Sequence, residues 1–252
     1  MPAARPLLIR LTFVGALAAL GACTVAPEGQ EIFDPYEGGN RAVHEFNKDV
    51  DSALLKPAAE TYGAVVPEDA RAGLSNAARN LAAPRSILNF VLQGELGAAA
   101  EKTGAFVLNS TFGVFGLIDL AGAHDFGTDT TDFGETLAVI GAPEGAYQEL
   151  PLLGPSTERH TFGRIVDFVI NPVGQVASET VQAFSTTARA GQILGDRYQF
   201  GATIDGILYE SADSYAQSRT LYLQNRRFAL GVPEDQEDPF GDLEDLYDDL
   251  YQ

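Results

Sequence analysis

Residues 40–54 read NRAVHEFNKDVDSAL, and within them Val43, Phe46, Val50 and Leu54 recur at steps of three and four. A turn of 3.6 residues brings such positions onto one stripe, so this stretch is expected to be a helix with one apolar face. The same period returns along the chain to about Leu230, broken by short Gly and Pro interruptions, and Ile204, Leu208, Ala212 and Tyr215 make another such stripe. Pro67 and Pro84 each stand where a helix can begin at its first turn; Glu68 and Asp69 suit the positive end of that helix. Phe228-Ala229-Leu230-Gly231 followed by Pro233 is a helix stop. No convincing run alternates with period two, so the expected fold class is all-α.

The composition narrows the function classes. In 252 residues there is room for one large domain or two small ones, and 45% hydrophobic residues suffice for a core. Lys and Arg number 16 against 35 Asp and Glu, a formal net charge of −19, which argues against a nucleic-acid partner. A single cysteine permits no internal disulfide and no thiolate cluster, and His44, His124 and His160 lack metal-binding spacing. No metal or cofactor is expected.

The first residues form an address. MPAARPLLIRLTFVGALAALGAC carries Arg5 and Arg10, then an apolar stretch from Phe13 to Leu20, then small residues, the layout of a secretory signal peptide over residues 1–22. Leu20-Gly21-Ala22-Cys23 resembles the lipobox of bacterial lipoproteins, in which the cysteine is acylated and becomes the first mature residue. Several acyl chains at about 0.8 kcal/mol per buried methylene make a stable anchor. Thr24 follows, not the aspartate that signals retention at the inner membrane, so the periplasmic face of a Gram-negative outer membrane is expected. Removing residues 1–22 takes away two arginines and no acid, leaving −21.

Residues 23–33 read as a lipidated tether, 34–231 as one helical domain and 232–252 as an acidic tail. Within the domain, Ile87–Leu92 (ILNFVL) and Gly104–Gly122 (GAFVLNSTFGVFGLIDLAG) are apolar almost all round. Periodicity alone fits a core or a membrane-embedded pair; the lipid anchor favours helices lying within one leaflet. Pro233–Gln252 holds nine acids and no base, and reads either as a solvated disordered tail or as a helix formed on a partner's groove.

Catalytic motifs are weak. Gly73-Leu74-Ser75-Asn76-Ala77 faintly resembles a nucleophile elbow but lies inside an expected helix and lacks the second glycine. Asp125, Asp129, Asp132 and Glu135 are acidic neighbours without the glycine and glutamate of an EF-hand loop; caps and turns are the commoner use of such residues. The chain is not expected to be an enzyme.

A longer series is more specific: Asp34–Arg41 (DPYEGGNR), Phe46-Asn47, Leu74-Ser75-Asn76, Asn80-Leu81, Pro84, Asn89 and Leu92-Gln93-Gly94. It continues through Asn109-Ser110-Thr111, Gly113, Gly116 and Asp119, then Asp132–Leu137 (DFGETL), Leu150–Thr157 (LPLLGPST) and Arg159. Over about residues 33–225 this resembles the MlaA (VacJ) family of outer-membrane lipoproteins. The resemblance implies a ring-like domain of mostly amphipathic helices set into the inner leaflet of the outer membrane. It implies an amphipathic channel that passes phospholipids from the outer leaflet toward a soluble periplasmic lipid-binding protein of the Mla pathway, with trimeric porins as frequent companions. The net effect is retrograde transport that preserves lipid asymmetry.

On that resemblance Asn40, Arg41, Asn47, Asn76, Asn80, Asn89, Asn109 and Arg159 are candidate lipid-path residues, the arginines because guanidinium binds phosphate bidentately. Each amide also has an ordinary reading as a cap or buried hydrogen bond. Two other readings stand beside the conduit: an envelope scaffold that organises porins through the acidic tail, and a phospholipid-degrading enzyme acting through Ser75.

Overall fold

The computed structural model describes residues 24–27 and 32–231. The signal peptide, Cys23 and the acidic tail from residue 232 lie outside the described residues. The helical order begins with α1 (Glu37–Val50), a π-helical turn over Asp51–Leu55, and α2 (Lys56–Val65). Next come α3 (Glu68–Gln93), α4 (Leu96–Thr111) and α5 (Phe133–Val139). A hairpin of β1 (Tyr147–Leu150) and β2 (Gly154–Thr157) follows, then α6 (Glu158–Ile170), α7 (Pro172–Val176) and α8 (Glu179–Gln199). The last elements are α9 (Gly201–Asp205), a second π-helical segment over Gly206–Glu210, and α10 (Ser214–Ala229).

The mostly helical reading holds, with three local corrections. Pro67 is the N-cap of α3 as its position suggests, but Pro84 lies in the interior of that helix rather than at a start. A proline there cannot donate to the carbonyl four residues back. The helix persists because α4 packs along it on one side and α8 on another, and tertiary burial outweighs one lost bond. The second correction is the hairpin, whose antiparallel register runs from Tyr147 opposite Thr157 to Leu150 opposite Gly154. Four-residue strands carrying Gly154 and Pro155 are too short for a period-two signal. The third is the stripe Ile204–Tyr215, which does not lie on one helix: the chain turns out of helix at Ser211 and restarts with Asp213 accepting the Ala216 N–H. The expected stop is present, with Gly231 left-handed at φ +63° beyond the end of α10.

The burial pattern is unusual. The face of α1 that points inward carries Asn40 and His44, and Asp51 continues it, while Phe46 and Leu54 of the expected apolar stripe are 49% and 67% exposed. On α6 the buried residues are Arg159, Gly163 and Asp167, and Phe168 is 84% exposed. Asn80, Ser86 and Asn89 are buried along α3, whereas Val91 and Leu92 face outward. The compact apolar core is small, centred on Tyr147, Tyr215 and Leu223 with Ile32 and Tyr222 against them. A water-soluble domain normally shows the reverse order, polar residues out and apolar residues in.

The turn after α4 adds to the outer apolar surface. Val114, Phe115 and Gly116 all have left-handed backbone, and Phe112, Val114, Phe115 and Ile118 are exposed. The turn is closed by the Gly116 N–H donating to Asn109 O at 2.9 Å and the Ile118 N–H to Gly113 O at 2.9 Å. Gly116 is required because a Cβ there would lie 2.4 Å from Asn80 Cβ. Among the described residues no helix is long and apolar enough to cross a membrane.

Candidate functional site

Buried polar side chains are the raw material of the interior, and three networks absorb most of them. In the first, Asn40 donates to Asp34 Oδ1 (2.9 Å) and to the Tyr147 carbonyl (3.1 Å) and accepts from the Glu149 N–H (3.0 Å), tying α1 to β1. His44 bridges Glu149 Oε1 (3.4 Å) and Ser214 Oγ (3.0 Å), and the Tyr147 hydroxyl donates to the other oxygen of Glu149. Asp34 in turn accepts from the Tyr215 hydroxyl and from Arg219. The second network hangs on the π-helical turn, whose extra residue per turn aims Asp51 inward. Arg197 of α8 meets Asp51 bidentately, with both bonds at 2.8 Å, and also donates to Asp205. Burial alone would raise the Asp51 carboxyl, but hydrogen bonds from Arg197 and Tyr209 outweigh it and hold it below the usual carboxylate range. The Tyr209 hydroxyl is pushed up to about 12 by burial and by its bond to Asp51.

The third network joins α3, α5, α6 and α10. Asn89 donates to Asp167 Oδ1 (2.9 Å) and accepts from the Thr136 hydroxyl (3.0 Å). Asp132 caps α5 through the Glu135 N–H, and both acids receive Arg226 at 2.7 and 2.8 Å. These two acids of the sequence's acidic cluster therefore serve as a cap and as ion-pair partners. Ser75 stands mid-helix in α3 rather than at the strand-to-helix turn that a nucleophile elbow needs.

Of the cavities beside these networks, two share Ile193 in their lining. An apolar one of about 670 Å³ is lined by Val50, Leu54, Leu55, Leu153, Leu194 and Leu208, with His44, Asp51 and Glu149 at its edge. A polar one of about 510 Å³ lies between α3 and α8 and is lined by Arg79, Arg85, Lys102, Arg189 and Asp196. Ile193 of α8 faces both. A smaller recess of about 270 Å³ adjoins the polar cavity and shares Arg79 and Lys102 with it.

The candidate residues named from the sequence distribute unevenly over this interior. Asn76, Asn80 and Asn109 line the small polar recess, where Asn80 donates to Ser110 Oγ and Asn109 to Asp119 Oδ1. Asn47 borders the apolar cavity and holds the hairpin, donating to Leu150 O (3.0 Å) and accepting the Leu152 N–H (2.7 Å). Asn40 and Asn89 are buried in the networks above and line neither of the larger cavities. Arg41 is exposed on Glu37 and Asp213, and Arg159 is buried with its guanidinium on the Ala142 carbonyl at 2.9 Å.

The cations of the polar cavity escaped the sequence reading. One signal was present: residues 70–94 contain Arg71, Arg79 and Arg85 but no acid, in a chain otherwise rich in acids.

An apolar exterior around buried polar networks defines a helical protein whose outer surface suits lipid rather than water. Residues 32–229 match the family described as MlaA lipoprotein, and the chain belongs to that family. It is 31% identical over 250 residues to the intermembrane phospholipid transport system lipoprotein MlaA of Escherichia coli K12, covering 94% of each chain. The Haemophilus influenzae protein of the same name is 34% identical over 234 residues, covering 87% of this chain and 89% of its own. A solved structure from work on the structural basis for maintenance of bacterial outer membrane lipid asymmetry superposes with a TM-score of 0.67 at 32% identity. It spans 78% of this chain and 98% of its own.

Proposed function

We propose that this chain is a phospholipid conduit of the outer membrane, which takes lipids from the outer leaflet and passes them to a soluble periplasmic lipid carrier. The observation that carries this reading is the pair of cavities that share Ile193 in their lining, one apolar and one cationic. An amphiphile crossing a membrane face needs both: an apolar wall for its chains and polar side chains for its headgroup. The apolar exterior supports the same reading, because Phe168, Phe112 and Phe115 in water would each expose area worth about 25 cal/mol per Å² if buried in lipid.

In this reading residues 1–22 are the leader, Cys23 carries the acyl anchor and residues 23–33 tether it. The domain at 34–231 sits as a ring in the inner leaflet with its site toward the periplasm, and the acidic tail at 232–252 faces a carrier or porin partner. Asn76, Asn80 and Asn109 belong to the lipid path, as lining of the polar recess. The chemistry is transfer without bond breaking, and no residue is assigned a catalytic role. The test is Cys23→Ala, verified as exported and as abundant as wild type. It should fail to restore the outer-membrane barrier of a deletion strain, and full restoration contradicts the anchored conduit.

A further inference from the structure

Half of the cations among the described residues are held by acids, and Arg71, Arg159 and Arg164 donate to backbone carbonyls. Arg41, Lys48, Lys56, Arg197, Arg219, Arg226 and Arg227 each meet a carboxylate. None of the ion pairs among the described residues includes Arg79, Arg85, Lys102 or Arg189, yet all four line one cavity. With more than twice as many acids as bases in the sequence, this is no shortage of acids.

The hydrogen-bond partners of Arg79 and Lys102 are neutral. Arg79 Nη2 donates to Asn76 Oδ1 at 2.7 Å, and Lys102 Nζ donates to the carbonyls of Gly127 (2.9 Å) and Thr128 (3.4 Å). Arg85 Nε is buried with no hydrogen-bond partner. Such an orphaned donor costs about 1–3 kcal/mol, more on a charged group, unless something fills the space beside it. Asp196 is the one acid lining the cavity, and burial raises its carboxyl, a rise that Arg79 only partly offsets. Burial likewise lowers the Lys102 ammonium. A cluster of like charges with desolvated members is the arrangement an incoming anion relieves.

We propose that Arg79, Arg85, Lys102 and Arg189 form a phosphate site, which takes the phosphodiester of a glycerophospholipid whose acyl chains lie past Ile193 in the apolar cavity. The site rests on the conduit reading above. Guanidinium forks suit phosphate oxygens better than a choline or an ethanolamine group, so the recognised chemistry is the phosphate. The sharing of Ile193 by the two linings favours a lipid as its source over free phosphate.

The experiment uses the purified full chain and three probes: dihexanoylphosphatidylglycerol, dihexanoylglycerol without phosphate, and inorganic phosphate. Wild type should bind the phospholipid, with affinity falling as salt rises, and the double variant Arg85→Gln/Arg189→Gln should bind it at least tenfold more weakly. Binding of dihexanoylglycerol should be unchanged in that variant, which also shows that the apolar cavity remains folded. The charge-keeping pair Arg85→Lys/Arg189→Lys should stay within a few fold of wild type, which separates charge from packing. Equal phospholipid binding by wild type and the Gln pair overturns the phosphate site while leaving the conduit standing. Inorganic phosphate bound as tightly as the phospholipid overturns the lipid source. Failure of wild type to bind either lipid overturns both the site and the conduit.

Discussion

His160 shows how one side chain couples this interior to pH. Its Nδ1 lies 2.7 Å from the Tyr222 hydroxyl, its Nε2 accepts from Arg164 Nε at 3.3 Å, and Asp132 stands 3.9 Å away. The Arg164 donor leaves Nε2 bare and assigns the proton to Nδ1, so a second proton would set two donors against each other. Burial, with Arg226 and Arg164 adding to it, lowers the imidazole from 6.5 to about 4. Below pH 6.5 an unfolded imidazole takes up a proton that the folded one refuses until about pH 4, so folding stability falls as pH drops through that window. The loss is roughly 2–3 kcal/mol. Denaturant midpoints measured from pH 7 to pH 4 should therefore slope less steeply for His160→Gln than for wild type. Identical slopes would show that another group carries the titration.

At the scale of elements, close approaches decide where helices cross. A Cβ on Gly163 of α6 would lie 2.4 Å from the backbone nitrogen of Gly134 in α5, so these helices touch backbone to backbone. Gly163→Ala should lower stability by about 1–3 kcal/mol despite alanine's better helix propensity. Thermal unfolding of the variant checks this, and a raised midpoint would mean the crossing can open at no cost. Much of the element order was readable in advance, because a 3.6-residue period and a Gly–Pro stop are local signals. Pro84 inside α3 was not, since what keeps that helix continuous is packing by α4 and α8. The hairpin was not either: Tyr147 and Glu149 point inward with period two, but four residues are too few to count. For α1 the stripe Val43–Leu54 was legible as a face but not its direction, because periodicity reports that two faces differ, not which one meets solvent; Phe46 and Leu54 of it stand exposed, the reverse of a water-soluble helix.

On the scale of the whole molecule that reversal is the main result. Polar networks on Asp34, Glu149, Asp51 and Asp167 hold the interior together, while Phe46, Phe112, Phe115 and Phe168 form the outside. A hydrophobic exterior at this density is stable against aggregation when lipid covers it. The candidate site divides in the same way. Asn80 and Asn109 were named through the family resemblance and line the polar recess, whereas the four cations of the polar cavity come together only when α3, α4 and α8 are assembled. The most direct test of the conduit is the phospholipid content of the outer leaflet in a strain lacking this gene and any second family member, with and without the wild-type gene restored. Outer-leaflet phospholipid should rise on deletion and return to normal on complementation. An outer leaflet that does not change on deletion would contradict the account.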